Sequence, residues 1–172
     1  MSARDDAAAP TMGREFVLTR LFNAPRELVF RAWTDPKQLG KWWGPNNFTN
    51  PVCELDLRPG GAWRIVMRSP DGVEYPLKGV YREIVEPERL VFTDNWEEHP
   101  AEFHQLLRQN GADQSIQEAI NTVTFDDQNG RTLLTLRTLF ESAPLRDAMV
   151  KMGMTQGWTE SFDRLTAVFA KM

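Results

Sequence analysis

The segment that most restricts the fold is the run Gly153-Met154-Thr155-Gln156-Gly157-Trp158-Thr159-Glu160-Ser161-Phe162-Asp163-Arg164-Leu165. Trp158, Phe162, Leu165 and Phe169 recur at helical spacing, which puts a bulky aromatic stripe along one face of a terminal helix. A stripe of that size needs a broad apolar surface to lie on. Upstream, after one helical stretch, the chain reads as strands. A long helix laid over a curved antiparallel sheet can enclose a cavity, and the space between the two is where function is expected.

The helical stretch comes early. Residues 15–22 alternate with β-branched and aromatic side chains and predict a first strand. Asn23 is placed as an N-cap and Pro25 in the first turn of a helix running to about Trp33. Thr34 or Asp35 caps a second short helix, and Gly44-Pro45 closes that region.

From Val52 onward the period is two. Trp63, Ile65 and Met67 fall on one face of a strand, with Arg64 and Arg68 on the other. Ser69-Pro70-Asp71-Gly72 reads as a hairpin turn. A long strand follows over 74–85, with Gly79 as a bulge or kink point. Strands over 90–96, 120–126 and 132–140 complete the meander. The stretch 97–118 is too long for a hairpin loop, and Phe103, Leu106 and Leu107 predict a short helix there, closed by Asn110-Gly111. Ser142-Ala143-Pro144 starts another short helix, and Gly153 separates it from the terminal one. The order is strand, two helices, six strands, terminal helix: an α+β arrangement.

Composition narrows the function classes. A formal net charge of −4 over 172 residues offers no general attraction to nucleic acid or anionic membranes. No apolar run reaches the roughly 18 residues of a spanning helix. Residues 1–11 lack the basic and apolar regions of a secretory signal and read as a polar, disordered tail. Cys53 is the single cysteine, so no intrachain disulfide forms, which fits a reducing, cytoplasmic setting. Its strand-like context makes it a half-buried apolar residue rather than a nucleophile. His99 and His104, five apart among Glu97, Glu98 and Glu102, match no strong metal spacing and read as a solvated acidic loop. There is no GxSxG, Walker A or HExxH motif. Neither a cofactor nor a metal is expected.

Several motifs, in order, carry a resemblance. They are Ala24-Pro25 with Val29-Phe30-Arg31-Ala32-Trp33-Thr34-Asp35-Pro36, then Trp42-Trp43-Gly44-Pro45, then Asp56-Leu57-Arg58-Pro59-Gly60-Gly61 with Trp63. Lys78-Gly79-Val80-Tyr81-Arg82-Glu83-Ile84 and Pro87-Glu88-Arg89-Leu90-Val91-Phe92-Thr93 follow, and Gly153-Met154 with Gly157-Trp158 and Leu165 close the set. Over about residues 14–171 the chain resembles bacterial proteins similar to the C-terminal domain of the heat-shock-protein ATPase activator, in the START-like (SRPBCC) superfamily. The resemblance implies one domain over 14–171 after a tail at 1–13. Its fold is the helix-grip: a curved seven-stranded antiparallel sheet around a long C-terminal helix, with an apolar tunnel between them. The excursion at 97–118 would lie near one mouth of that tunnel. Activity is not implied, since members of this fold differ in what they do.

The residues expected to bind a small hydrophobic or aromatic molecule in the tunnel are Trp33, Trp42, Trp43, Trp63, Met67, Tyr81, Phe92, Asp94, Trp96, Met154, Trp158 and Phe162. Six Trp, ten Phe and seven Met supply either a solid core or the walls of a ligand-sized space. Met149, Met152 and Met154 would let such a space adapt to varied ligands. Tyr81 and Asp94 share the inward phase of Gly79, Phe92 and Trp96, and Thr122, Thr124 and Thr138 are candidates to join them. Such groups need partners, in the protein or in a ligand. Two alternatives stand beside ligand binding. One is a chaperone-cofactor or regulatory protein partner bound by the outer surface; the other is a cyclase- or hydrolase-type enzyme using a carboxylate such as Asp94. A homodimer is left open.

Overall fold

The computed structural model describes residues 13–112 and 116–172. The tail expected over 1–13 therefore lies outside the described residues, apart from Gly13, as do residues 113–115 of the excursion. In chain order the elements are β1 (Glu15–Phe22), α1 (Arg26–Thr34), α2 (Pro36–Trp42), β2 (Thr49–Leu55), β3 (Ala62–Arg68), β4 (Glu74–Val85) and β5 (Arg89–Asn95). They continue with α3 (Ala101–Gln109), β6 (Glu118–Gln128), β7 (Arg131–Leu139), α4 (Ala143–Lys151) and α5 (Met154–Ala170).

The seven strands form one antiparallel sheet in the order β1-β7-β6-β5-β4-β3-β2. Strands two to seven are a simple meander. β1 joins beside β7, so α1 and α2 carry the chain from one edge of the sheet to the other. The register shifts between Thr49 and Val52 and between Tyr81 and Glu83, and such bulges sharpen the twist and curl of a sheet. Gly79 lies two residues before the second shift and has another task. A Cβ there would sit 1.9 Å from the Thr93 carbonyl oxygen and 2.4 Å from Trp63 Nε1. Only a bare Cα lets the Trp63 indole cross it and donate to Thr93 O at 3.0 Å.

Local chemistry sets the helix ends. Asn23 does not cap α1: Pro25 occupies the cap position and no side chain bonds there. At α2 the Asp35 carboxylate accepts from Lys37 N at 3.0 Å, and at α4 Ser142 accepts from Leu145 N at 3.2 Å. Gly153, at φ +104°, makes the left-handed corner between α4 and α5 that a side chain would strain.

α5 lays its stripe into the sheet. Phe162 and Leu165 are fully buried. Phe22 meets Phe162 and Phe169 edge-on, with ring centroids 5.7 Å apart in both pairs. Trp33 of α1 packs on Trp42 at 4.8 Å and stacks on Trp158 at 6.0 Å. The core is therefore solid where α1, α2 and the middle of α5 meet the sheet. No described helix is long and apolar enough to cross a membrane.

Candidate functional site

The packing opens towards the first turns of α5. There the three residues after α2, the outer parts of β3, β4 and β5, the end of β7, and helices α3, α4 and α5 surround a cavity of about 270 Å³ that is partly open to solvent. That volume falls just below the roughly 300–1,000 Å³ of small-molecule pockets. Trp43, Trp96 and Trp158 form aromatic walls, joined by Phe103 and Phe140. Met67, Met149, Met152 and Met154 add four flexible thioethers.

Of the twelve residues singled out from the sequence, the fold brings Trp43, Met67, Asp94, Trp96, Met154 and Trp158 to this cavity. The other six lie elsewhere. Trp33, Trp63, Tyr81 and Phe92 surround, with Trp43, a void of about 10 Å³, barely one water's worth. Trp42 and Phe162 are fully buried core, and the Trp42 indole donates to Ala32 O at 3.0 Å.

Polar groups punctuate the cavity wall. Burial pushes the Asp94 carboxyl up to about 7; the Asn121 side chain pulls it down, and Glu118 on the neighbouring strand adds to the rise. Among the described residues, neither Asp94 Oδ1 nor the buried indole Nε1 of Trp96 has a hydrogen-bond partner. Thr138, which also lines the space, donates its hydroxyl to Asn121 Oδ1 at 2.6 Å. It is Asn121, and not Thr122 or Thr124, that points inward on β6, because the strand buries its odd-numbered positions from Ala119 to Phe125.

His99 departs from the solvated loop expected of it. It lines the cavity with its ring against Phe103, 4.6 Å between centroids, and Tyr75, 5.5 Å. Its Nδ1 donates to the Pro76 carbonyl at 2.9 Å, so Nε2 keeps its lone pair. Burial holds the ring down at about 4, with the Pro76 bond opposing and His104 assisting, so His99 is neutral at pH 7. Its flanking acids explain the misreading. Glu97 and Glu98 turn outward to Lys78 and Arg64, leaving the histidine that follows them to face inward.

The wall carrying Trp43 is held by α5. Ser161 Oγ accepts from Gly44 N at 3.1 Å. Arg164 reaches back with Nη1 to the carbonyls of Trp43, Gly44 and Pro45 at 3.1, 3.0 and 3.0 Å, and with Nη2 to Lys41 O at 3.1 Å. Sequence reasoning missed both residues. For Ser161 a signal existed: it sits three residues after Trp158 and one before Phe162, a small polar residue on the stripe itself.

Cys53 is half-buried on β2, and burial raises its thiol to about 11, the state of an unreactive sulfur. No cluster of three or more His, Cys, Asp or Glu among the described residues is arranged to hold a metal ion.

Comparison with known proteins follows this geometry. Residues 23–170 match the family described as Activator of Hsp90 ATPase homolog 1-like protein. A crystal structure of a protein from Mycobacterium smegmatis is similar at 26% identity, with a TM-score of 0.76 and coverage of 94% of each chain. One from Chromobacterium violaceum is 27% identical, with a TM-score of 0.71, over 90% of this chain and 96% of the other. The AHSA1 protein of Silicibacter pomeroyi is 25% identical, with a TM-score of 0.68, over 91% and 97%. No curated protein matches.

Proposed function

The chain belongs to the Activator of Hsp90 ATPase homolog 1-like family, and from that premise we propose that it is a binding module whose cavity takes one small hydrophobic or aromatic molecule. The observation that carries this reading is the cavity itself: about 270 Å³, walled by three tryptophans and four methionines. A filled core would leave no such space.

The size of the effect is consistent with a real but modest affinity. Burying roughly 300 Å² of ligand apolar surface at about 25 cal/mol per Å² contributes about 7–8 kcal/mol before association costs. Those costs, at least about 4 kcal/mol, leave about 3–4 kcal/mol at most, a millimolar affinity for a ligand with no polar anchor. Polar contacts would add to it.

The protein-partner reading has weaker support. It needs a contiguous outer apolar patch, whereas the exposed large apolar residues include Val17 and Leu21 on β1, Leu57 before β3, Val80 and Val85 on β4, and Leu106 on α3, spread over separate elements. Native mass spectrometry of the freshly purified protein, followed by titration with the neutral dye phenylnaphthylamine, tests the proposal. A co-purified small molecule, or saturable one-to-one dye binding abolished by the cavity-filling variant Met149→Trp, is the expected result. No bound mass, together with dye binding that Met149→Trp leaves unchanged, would refute it.

A further inference from the structure

The two edges of the sheet are built differently. β2, at one edge, is guarded. Pro51 has no N–H to offer, the register shifts between Thr49 and Val52, and Asn50 Nδ2 donates to Gly40 O and Trp43 O at 3.0 and 2.9 Å, fastening α2 beside the strand. β1, at the other edge, has none of these devices. Its residues pair with β7 from Glu15 to Phe22 without a shift, and it holds no proline. Arg20, the charge in the middle of the strand, is drawn onto α5, to Asp163 Oδ1 at 2.9 Å and Thr159 O at 3.4 Å, and so does not stand guard over the edge.

The ladder determines which backbone groups of β1 are free. Phe140 N donates to Arg14 O at 3.0 Å, so Arg14 faces β7. Facing alternates along an antiparallel strand, which turns the N–H and C=O of Glu15, Val17, Thr19 and Leu21 to the open edge. Arg146 of α4 agrees with this, donating to Glu15 O at 3.2 Å from outside the ladder. Among the described residues, no such bond reaches the backbone of Val17, Thr19 or Leu21. Their side chains stand on the solvent face of the sheet, with Val17 44% and Leu21 43% exposed.

We propose that β1 pairs with the β1 of a second copy of this chain, antiparallel about a twofold axis at Thr19, joining the two sheets into one. Self-complementarity identifies the occupant. Glu15 O is already taken, so the free edge consists of Val17, Thr19 and Leu21, and the twofold that maps those three onto themselves runs through the middle one. Val17 then faces the partner's Leu21, Thr19 faces the partner's Thr19, and each facing pair exchanges two main-chain bonds. The two exposed apolar side chains of the strand cover each other on the outer face. The strand's two charges, Glu15 and Arg20, come opposite the partner's Asn23 and the partner's Leu18, so neither meets its like. Pairing of this kind reads main chain and needs no broad apolar patch. The strip is short, which puts the contact at the small end of specific interfaces and makes the dimer weak and concentration-dependent.

The test is sedimentation equilibrium of the full chain from about 5 µM to about 500 µM, with amide exchange followed over the same range. A dimer that grows with concentration is expected, in which the Val17, Thr19 and Leu21 amides, open in the monomer, exchange about fivefold or more slowly at the highest concentration. Thr19→Pro deletes an N–H that β7 does not use, so it should abolish the dimer and keep the fold. Thr19→Lys and Thr19→Glu each set like charges face to face across the axis and should weaken the dimer about fivefold, whereas an equal mixture of the two should dimerise again. A monomer at every concentration would overturn the proposal, and so would a dimer indifferent to the three variants or one that leaves the three amides in fast exchange. Failure of the mixture to regain what each charged variant lost would overturn the twofold at Thr19 and the proposal with it. Should Thr19→Pro not fold, the charged variants at this exposed position decide alone.

Discussion

Arg164 is the side chain that ties the terminal helix to the cavity wall, and its removal has a calculable cost. Its guanidinium donates to four backbone carbonyls, those of Lys41, Trp43, Gly44 and Pro45, at the C-terminal end of α2. A hydrogen bond to a charged group contributes about 1.5–3 kcal/mol, but these acceptors share one partly solvated cation, so the set is counted once. A cation at a helix C-terminus adds about 0.3–1 kcal/mol. Arg164→Met, which keeps the stem and loses the fork, should therefore cost about 2–3 kcal/mol. With a urea slope of about 2 kcal/mol per M, the unfolding midpoint should fall by about 1–1.5 M, read by tryptophan fluorescence. Arg164→Lys should recover less than half of this, because one ammonium cannot span a fan of carbonyls. A loss for Arg164→Met within about 0.5 kcal/mol of wild type, the range of an ordinary surface substitution, would refute the clamp.

Two further perturbations follow from the same packing. Asp94 and His99 bend the pH dependence of stability in opposite directions. The folded Asp94 carboxyl, at about 7 against 3.8, holds its proton longer than the unfolded chain does, so its contribution falls as pH rises from about 4 to about 7. The folded His99, at about 4 against 6.5, refuses a proton the unfolded chain accepts, so its contribution falls as pH drops from about 6.5 to about 4. Urea midpoints at about pH 5 and pH 7 should then rise with pH in Asp94→Asn and fall with pH in His99→Phe, while wild type stays flatter than either; like slopes in the two variants would contradict this. Gly79→Ala drives a methyl into the Thr93 carbonyl and the Trp63 indole and should cost about 3 kcal/mol or more. Gly72→Ala meets open space and should cost only about 1 kcal/mol for its left-handed backbone, so equal midpoints for the two would show the Gly79 contact to be slack.

Much of the fold was legible because its signals are local and periodic. The stripe Trp158, Phe162, Leu165 specifies which face of α5 is buried, the alternation in β3 puts Trp63 and Ile65 inside, and Gly153 separates the last two helices. The site was legible only by halves. Inward phase identified Asp94, Trp96 and Met67, but phase cannot say how deep in the sheet a residue lies. Trp33, Trp42, Trp63, Tyr81, Phe92 and Phe162 share the same inward character and lie where the helices fill the space. Whether an inward aromatic meets another ring or a void depends on how α1 and α4 seat against α5, which is long-range packing. His99 was hidden by its acidic neighbours, and Arg164 by the fact that its partners are backbone atoms about 120 residues earlier.

The central claim is that the space under α5 receives a small apolar molecule, and the methionine methyls report on it directly. Met67, Met149, Met152 and Met154 line the cavity, whereas Met172 is exposed at the chain end. With methyl-labelled methionine, titration with ethylnaphthalene should shift those four resonances along one saturable curve and leave Met172 in place. Cavity methyls that stay put at saturating ligand, or shifts no larger than that of Met172, would contradict the account.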